Sequence, residues 1–387
     1  MYRPPFHFCH CMNIFPGTAL EDKIAAFTHS LPKIRALIPG AEEKPFAAGL
    51  WLGADAVSRL IRTRREKDFA DFARALGFYA FTANAFPYGK FHGTKVKTSV
   101  YSPDWSDGAR LEYTLAVARV LAHFLPDESV EGSVSTLPGA YKTFPREKLP
   151  LLADNILKAA EALKKLRRES GRTIRLAFEM EPDCLWESPQ EFAFFYDRFL
   201  RGSDAAEFIG VCYDTCHQEL LGGTPGAGLD FLSTNGIPVP KIQISAALRS
   251  TDESGRKSLG THFQDPVYLH QTRIVDSGGI LRKWDDLPDA LDSDSLHDPW
   301  TVHFHIPVFL EELPGGLRSA NAELLAVIEH LRHTPSLCGA LEIETYSYSV
   351  LPEFARSRSV EDSMAREMRW LLEKLEHGTT SERENML

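Results

Sequence analysis

Four short apolar runs in this chain carry or end in acidic or imidazole side chains. Ile174 to Phe178 leads into Glu179-Met-Glu181-Pro-Asp-Cys-Leu-Trp-Glu187, and Gly210 to Tyr213 leads into Asp214-Thr-Cys-His217. Trp300 to Val308 contains His303-Phe-His305, and Gly339 to Tyr346 contains Glu342-Ile-Glu344. Apolar runs of this length, bounded by turn residues and alternating with helices, read as buried parallel strands. Side chains two apart on a strand share a face. Glu179 and Glu181 therefore point together, as do His303 and His305, and Glu342 and Glu344, with one member of each pair at the strand mouth and one deeper. Carboxylates at such strand ends are costly unless something neutralises them, and a divalent cation is the usual partner. Glu181, Asp214, a histidine and Glu344 would make a mixed carboxylate–imidazole site suited to Mn²⁺, Fe²⁺, Co²⁺ or Zn²⁺ rather than Ca²⁺. The competing reading makes the carboxylates members of buried ion pairs and the histidines hydrogen-bonded core groups.

The elements that must position these residues alternate strand and helix. Strand-like segments fall at Phe6–Ile14, Phe46–Leu52, Phe78–Ala83, Gly132–Leu137, Ile174–Glu179, Gly210–Thr215, Lys241–Ala247, Trp300–Val308 and Gly339–Tyr346. Helical spacing covers Leu20–Ile38, with Pro32 a kink or break. It also covers Ala54–Leu76, Asp107–Leu125, Lys148–Glu169, Ala320–His333 and a last helix beginning at Ser359. Ser188-Pro-Gln-Glu191 is a capping box with proline at the first helical position, which sets Glu187 in the loop just before a helix. Strand then helix, repeated about eight times, predicts an α/β fold, a (β/α)8 TIM barrel. No Gly-x-Gly-x-x-Gly follows the first strand, which weakens a dinucleotide-binding open sheet. Nine strands are one too many for the barrel. Lys241–Ala247 follows the sixth strand at a normal interval and is the preferred seventh stave, so the His-Phe-His strand belongs to an insertion folded over the mouth. The polar segment at about 250–299 is that insertion, a lid in a single domain spanning 1–377, with a polar tail at 378–387.

The chain has 387 residues, 43% hydrophobic and 25% charged, with a formal net charge of −10. That balance argues against broad nucleic-acid or membrane-surface binding. The single basic run, Arg62 to Lys67, reads as a solvated helix face. Cys9, Cys11, Cys184, Cys212, Cys216 and Cys338 form no Cys-x-x-Cys pair and read as buried free thiols, as expected of a reducing compartment. No signal-like or membrane-spanning run is present, so a cytoplasmic protein without membrane insertion is expected.

Glu181-Pro-Asp-Cys-Leu-Trp-Glu187 with Asp214-Thr-Cys-His217 resembles the xylose isomerase-like TIM barrels, the sugar isomerase/epimerase superfamily. In its ketose 3-epimerases a metal-binding Glu precedes a substrate-contacting Glu by six positions, which fits Glu181 and Glu187. Their next strand carries a metal-binding Asp and, three on, a substrate-contacting His, which fits Asp214 and His217. The resemblance further implies His305 and Glu344 as metal ligands, with Gln243 from the seventh stave the alternative to His305. Two departures stand out. His303-x-His305 comes late, beyond an extra strand, and Glu311 stands where an arginine would follow the histidine. Cys11-Met-Asn-Ile-Phe-Pro-Gly17, Phe86-Pro-Tyr-Gly-Lys-Phe-His92, Val302-His-Phe-His-Ile-Pro307 and Glu342-Ile-Glu-Thr-Tyr346 resemble, over almost the whole chain, the EboE barrel proteins of metabolite-traffic gene clusters.

The expected activity is therefore a divalent-metal-dependent isomerase or epimerase acting on a sugar-like small molecule. Glu181 and Glu344 would serve as proton-transfer bases, as the resemblance implies, and Glu187, His217, His92 and His303 would contact substrate. Two other readings are a metal-dependent phosphoesterase of the endonuclease IV type and a non-catalytic metabolite-binding barrel. Pathway proteins or a second copy of the chain are the expected macromolecular partners.

Overall fold

The computed structural model describes residues 1–90, 92–93, 95–127, 130–293 and 299–377. The tail expected at 378–387, and part of the insertion at 294–298, lie outside the described residues. Eight parallel strands form the staves: β1 (Phe6–His10), β2 (Leu50–Trp51), β3 (Thr82–Asn84), β4 (Gly132–Thr136), β5 (Ile174–Glu179), β6 (Ile209–Asp214), β7 (Lys241–Ile244) and β8 (Ala340–Ile343). Each pairs in parallel with its neighbour from β2 round to β8, and β8 pairs with β1. The ring closes between β1 and β2. There Cys11 bridges Gly49, the Met12 N–H donates to Gly49 O at 2.8 Å and the Gly49 N–H donates to His10 O at 3.1 Å. A side chain at Gly49 has no room, because its Cβ would lie 1.8 Å from Glu342 Oε1. Glycine is the residue that lets the seam and the buried carboxylate share that space.

Helices cover the staves from outside, and their ends follow local chemistry. The Ser188 hydroxyl accepts from the Glu191 N–H, and the Glu191 carboxylate accepts from the Ser188 and Glu187 N–H groups, so the capping box opens Pro189–Phe199 as expected. Pro32 does not break the first helix. The turn before it, Ala26–Ser30, widens to π geometry, with the Leu31 N–H donating to Ala26 O. This absorbs the N–H that proline lacks. The stretch 54–76 is two helices, Ala54–Thr63 and Glu66–Ala75, because Arg64 turns left-handed at φ 56°. Among the described residues no helix is long and apolar enough to cross a membrane.

The ninth strand belongs to a separate sheet, inserted between β7 and β8. After β7 and Ser245, the chain runs straight into Ala246–Ser250, which pairs antiparallel with Thr301–Ile306 and with Leu317–Ala320. Thr272–Asp276, Gly279–Trp284 and Glu312–Leu313 complete a six-stranded antiparallel sheet. The insertion therefore spans Ala246 to Ala320, wider than the polar segment at 250–299. Chain between a stave's end and the next helix lies at the C-terminal mouth, where TIM-barrel sites form.

Inside the barrel, below the mouth, Lys241 Nζ lies 2.5 Å from Glu342 Oε2 and donates to Ser135 Oγ at 2.8 Å, all three residues buried. Glu342 is thus the deeper, ion-paired member of its pair, and Glu344 is the one left at the mouth.

Candidate active site and metal centre

Parallel register places Glu179 at the end of β5, Asp214 at the end of β6 and Glu344 just beyond β8. A carboxylate oxygen from each lies within 4.8 Å of the others. This grouping differs from the expected ligand set in one member. Glu179 and Glu181 share a face as the strand period requires, but Glu179 sits on the stave while Glu181 lies two residues past its end. The carboxylate beside Asp214 and Glu344 is therefore Glu179, and Glu181 is grouped with His217 and His303. Two of the three lower carboxylates, Asp214 and Glu344, are held from one side. Asp214 Oδ1 accepts from Ser245 Oγ at 2.7 Å and from the His217 N–H at 3.0 Å. Glu344 Oε1 accepts from the side-chain amides of Asn13 at 2.7 Å and Asn84 at 3.0 Å.

The inserted sheet brings its histidines down onto this layer. His305 is fully buried, and its ring groups with Asp214 and His217. Its Nδ1–H donates to Glu344 O at 2.9 Å, which leaves Nε2 as the free lone pair. His303 shares its face of the strand and reaches His217, with Nε2 to Nε2 at 3.1 Å. Gln243, the alternative to His305, is buried on β7, and its Oε1 accepts from the Cys212 thiol at 2.7 Å.

Glu179 Oε2, Asp214 Oδ2 and His305 Nε2 are all buried without a hydrogen-bond partner. Uncompensated buried acceptors are costly. Three of them, in two triads that share Asp214 and include a third carboxylate, Glu344, fit a cation better than they fit a structural core. The electrostatics agree. Burial, with the charges of Glu344 and Asp214, pushes the Glu179 carboxyl well up. Burial also pushes Glu344 to about 8, reinforced by Asp214, and Glu181 to about 8 against the Tyr101 hydrogen bond. Asp214 goes the other way. Burial raises its carboxyl, but His217, His305 and the Ser245 hydrogen bond together hold it below the usual range. Burial lowers His217 to about 4, against the charge of Asp214.

Above the carboxylates lies a cavity with ≈ 520 Å³ of space, its open mouth included. Glu179, Glu181, His217, His303 and Glu344 form its polar floor, with Asn13 and Asn84, while Phe86, Val100, Tyr101, Tyr268 and Tyr346 are among its walls. Tyr101 donates to Glu181 Oε1 at 2.8 Å. Asn13, Asn84 and the tyrosines were not among the candidates, since isolated amides and phenols carry no spacing signal. His92 sits at the rim, where its Nδ1 meets the Tyr268 hydroxyl at 2.6 Å and its Nε2 meets Asn13 O.

Glu187 is not brought to the cavity. Its Oε2 accepts from Arg273 Nη1 at 2.8 Å, and Arg273 Nη2 lies 3.4 Å from Asp183. Arg273 is fully buried and comes from the insertion, so this ion pair fastens the inserted sheet to the loop after β5. Truncating it leaves Asp183 and Glu187 only the longer contacts to Lys283 at 3.5 and 3.6 Å, and Asp183 also Lys142 at 3.5 Å. The cost should therefore fall below the roughly 3–5 kcal/mol typical of a buried pair broken outright. Arg273→Ala is expected to speed amide hydrogen exchange across Thr272–Trp284 while β4 to β6 stay protected. Unchanged exchange there would show that the pair does not hold the insertion.

No protein-family model and no curated sequence matches the chain. Among solved structures, it is similar to a xylose isomerase-like TIM barrel protein from Mycobacterium smegmatis in complex with magnesium. The identity is 12% over 97% of this chain and 98% of that one, with a TM-score of 0.53. The fold is that of the xylose isomerase-like TIM barrels. A xylose isomerase domain protein from Alicyclobacillus acidocaldarius matches at 14% identity, over 96% of this chain and 98% of that one, with a TM-score of 0.49. An L-ribulose 3-epimerase matches at 13% identity, over 98% and 97%, with a TM-score of 0.49.

Proposed function

We propose that this chain is a divalent-metal-dependent isomerase or epimerase acting on a small polyhydroxylated metabolite. The observation that carries this reading is a pair of triads joined at Asp214, one with Glu179 and Glu344 and one with His217 and His305, with unpartnered buried atoms on Glu179, Asp214 and His305, beneath a cavity walled by aromatic residues. These four residues would hold the ion, and a mixed carboxylate–imidazole set favours Mn²⁺, Co²⁺, Fe²⁺ or Zn²⁺. The likeness to a barrel described in complex with magnesium supports metal binding in this fold. The sequence resemblance to EboE proteins supports a small-metabolite substrate.

A bound divalent ion would polarise adjacent substrate oxygens and acidify the carbon that carries them. The chain's own groups would do the rest. Glu181, hydrogen-bonded to Tyr101 and raised to about 8, is placed to take or return a proton near neutral pH. Glu344 faces the same cavity from a stave three places round the ring, so the two carboxyls approach a substrate from different sides. The aromatic walls exclude water and pack against carbon–hydrogen faces of the substrate. Lys97 is the one cationic side chain lining the cavity among the described residues, and it is paired with Asp286 at 2.5 Å.

The cluster of His217, His303 and His305 is the observation that favours a phosphoesterase instead. Solvent-exchange kinetics separate the two. Metal-loaded protein incubated in D₂O with a panel of pentuloses and hexuloses is expected to wash deuterium into one carbon–hydrogen position of its substrate. Hydrolysis of bis(p-nitrophenyl) phosphate without deuterium incorporation would transfer the assignment to the phosphoesterase reading. Neither activity, with metal bound, would leave a binding barrel.

A further inference from the structure

The cavity changes chemistry between its floor and its mouth. Beside the floor carboxylates stands Asn13, whose Nδ2 donates to Glu344 and whose Oδ1 is buried without a partner. Above it come Phe86, Pro87, Val96, Val100, Tyr268 and Leu269. Val100 and Leu269 are half-buried and stand where the cavity meets solvent. Val96 and Tyr268 pack with Trp51 and Tyr346 in a cluster separate from the main core, so this apolar surface is not an extension of the barrel interior. The polar atoms of the walls are already engaged. The Tyr268 hydroxyl meets His92 Nδ1 at 2.6 Å, and the Tyr101 hydroxyl donates to Glu181. The carbonyl of Phe86 accepts from Arg110 at 2.9 Å, that of Pro87 from Tyr113 at 3.1 Å, and that of Val96 from the Ser99 N–H at 2.9 Å. Lys97 is held by Asp286.

Aromatic rings alone would suit the carbon–hydrogen face of a free sugar. A free sugar also carries hydroxyls around its edge, and each one that leaves water without finding a partner weakens binding by roughly 5–150-fold. These walls hold aliphatic groups and committed polar atoms where that edge would lie. We infer that the substrate is amphiphilic, an uncharged hydroxylated head that carries an alkyl or aryl substituent. The head sits on the floor, where Asn13 Oδ1 accepts from one of its hydroxyls. The substituent runs up the walls past Val96, Val100 and Leu269 to the mouth. A phosphate or carboxylate on the head would meet the floor carboxylates with no free cation to receive it among the described lining residues. The inference rests on the function proposed above for the head alone, and the apolar path stands on the walls.

The test is calorimetric titration of full-length protein, incubated with Mn²⁺ and assayed for bound metal, with methyl, hexyl and phenyl glycosides of glucose, galactose and mannose, and with 1-hexanol. Burial of each methylene adds about fourfold in affinity, so for at least one head the hexyl and phenyl glycosides are expected to bind at least about tenfold tighter than the methyl glycoside. Val100→Asp sets a charge on the apolar path. It is expected to remove that advantage while bound metal per chain stays the same. Hexyl and phenyl glycosides that bind no tighter than methyl ones for every head would overturn the inference. So would 1-hexanol binding as tightly as the hexyl glycosides, which would leave an apolar patch without a head site. A full hexyl advantage in Val100→Asp would overturn the path. Protein that takes up no metal but keeps the hexyl advantage would sink the isomerase reading and support the amphiphilic ligand, so the two failures are distinguishable.

Discussion

Lys241→Ala is expected to be the most destabilising single truncation in the barrel. The ammonium is fully buried, 2.5 Å from Glu342 and hydrogen-bonded to Ser135, and Glu342 fills the space beside Gly49 at the β1–β2 seam. Removing the lysine leaves Glu342 as a charge in the barrel interior without its cation. Breaking a buried pair from one side typically costs about 3–5 kcal/mol, whereas replacing both partners by neutral groups of similar shape is often close to neutral. The denaturant midpoint should therefore fall sharply for Lys241→Ala. The double variant Lys241→Met with Glu342→Gln should recover much of the loss. A midpoint for the single variant equal to that of wild type would mean the pair contributes nothing to the fold. Lys241 also acts to lower the carboxyl pKa values of Glu179 and Glu344 above it, so the pair is electrostatically continuous with the carboxylate cluster.

Asp214→Asn is the expected functional counterpart. Asparagine keeps an Oδ1 that accepts from Ser245 Oγ and from the His217 N–H, so the short helix Thr215–Glu219 stays capped. What is lost is the charge and the unpartnered Oδ2. Mutating the outer hydrogen-bond partners of metal ligands typically costs about 10–100-fold in affinity, and loss of an anionic ligand should cost at least that. Calorimetric titration with Mn²⁺ or Co²⁺ should show it, with the melting temperature of the metal-free variant close to or above that of metal-free wild type. The gain would come from removing one of three crowded carboxylates. Unaltered affinity would exclude Asp214 as a ligand.

Much of this architecture is legible in the sequence, and the parts that are not have identifiable causes. Staves such as Ile209–Asp214 and Lys241–Ile244 stand out because strands buried on both faces need unbroken apolar runs. The same property hides the root of the insertion. Ala246–Ser250 continues the run of β7 with only Ser245 between, so one strand in sequence is two strands in different sheets. The period of two correctly pairs Glu179 with Glu181 and Glu342 with Glu344, but it carries no depth. Which glutamate of each pair joins the carboxylate cluster around Asp214 depends on where the stave ends and on what lies below. Lys241 lies below Glu344, and its pairing with Glu342 is a contact across 101 positions that no local pattern encodes. Glu187 was placed correctly in a loop by its capping box, yet its partner is Arg273, on a strand of the insertion. Asn13, three residues past β1, and Asn84, the last residue of β3, hold Glu344 from otherwise ordinary strand ends.

The central claim is that Glu179, Asp214, His305 and Glu344 hold a divalent ion at the base of the cavity. Diffraction from crystals grown with Mn²⁺ or Zn²⁺, recorded on either side of that metal's absorption edge, tests it most directly. The account predicts an anomalous peak about 2.0–2.3 Å from His305 Nε2 and from carboxylate oxygens of Glu179, Asp214 and Glu344. No peak within reach of Asp214, in crystals whose other metal contacts are occupied, would contradict it.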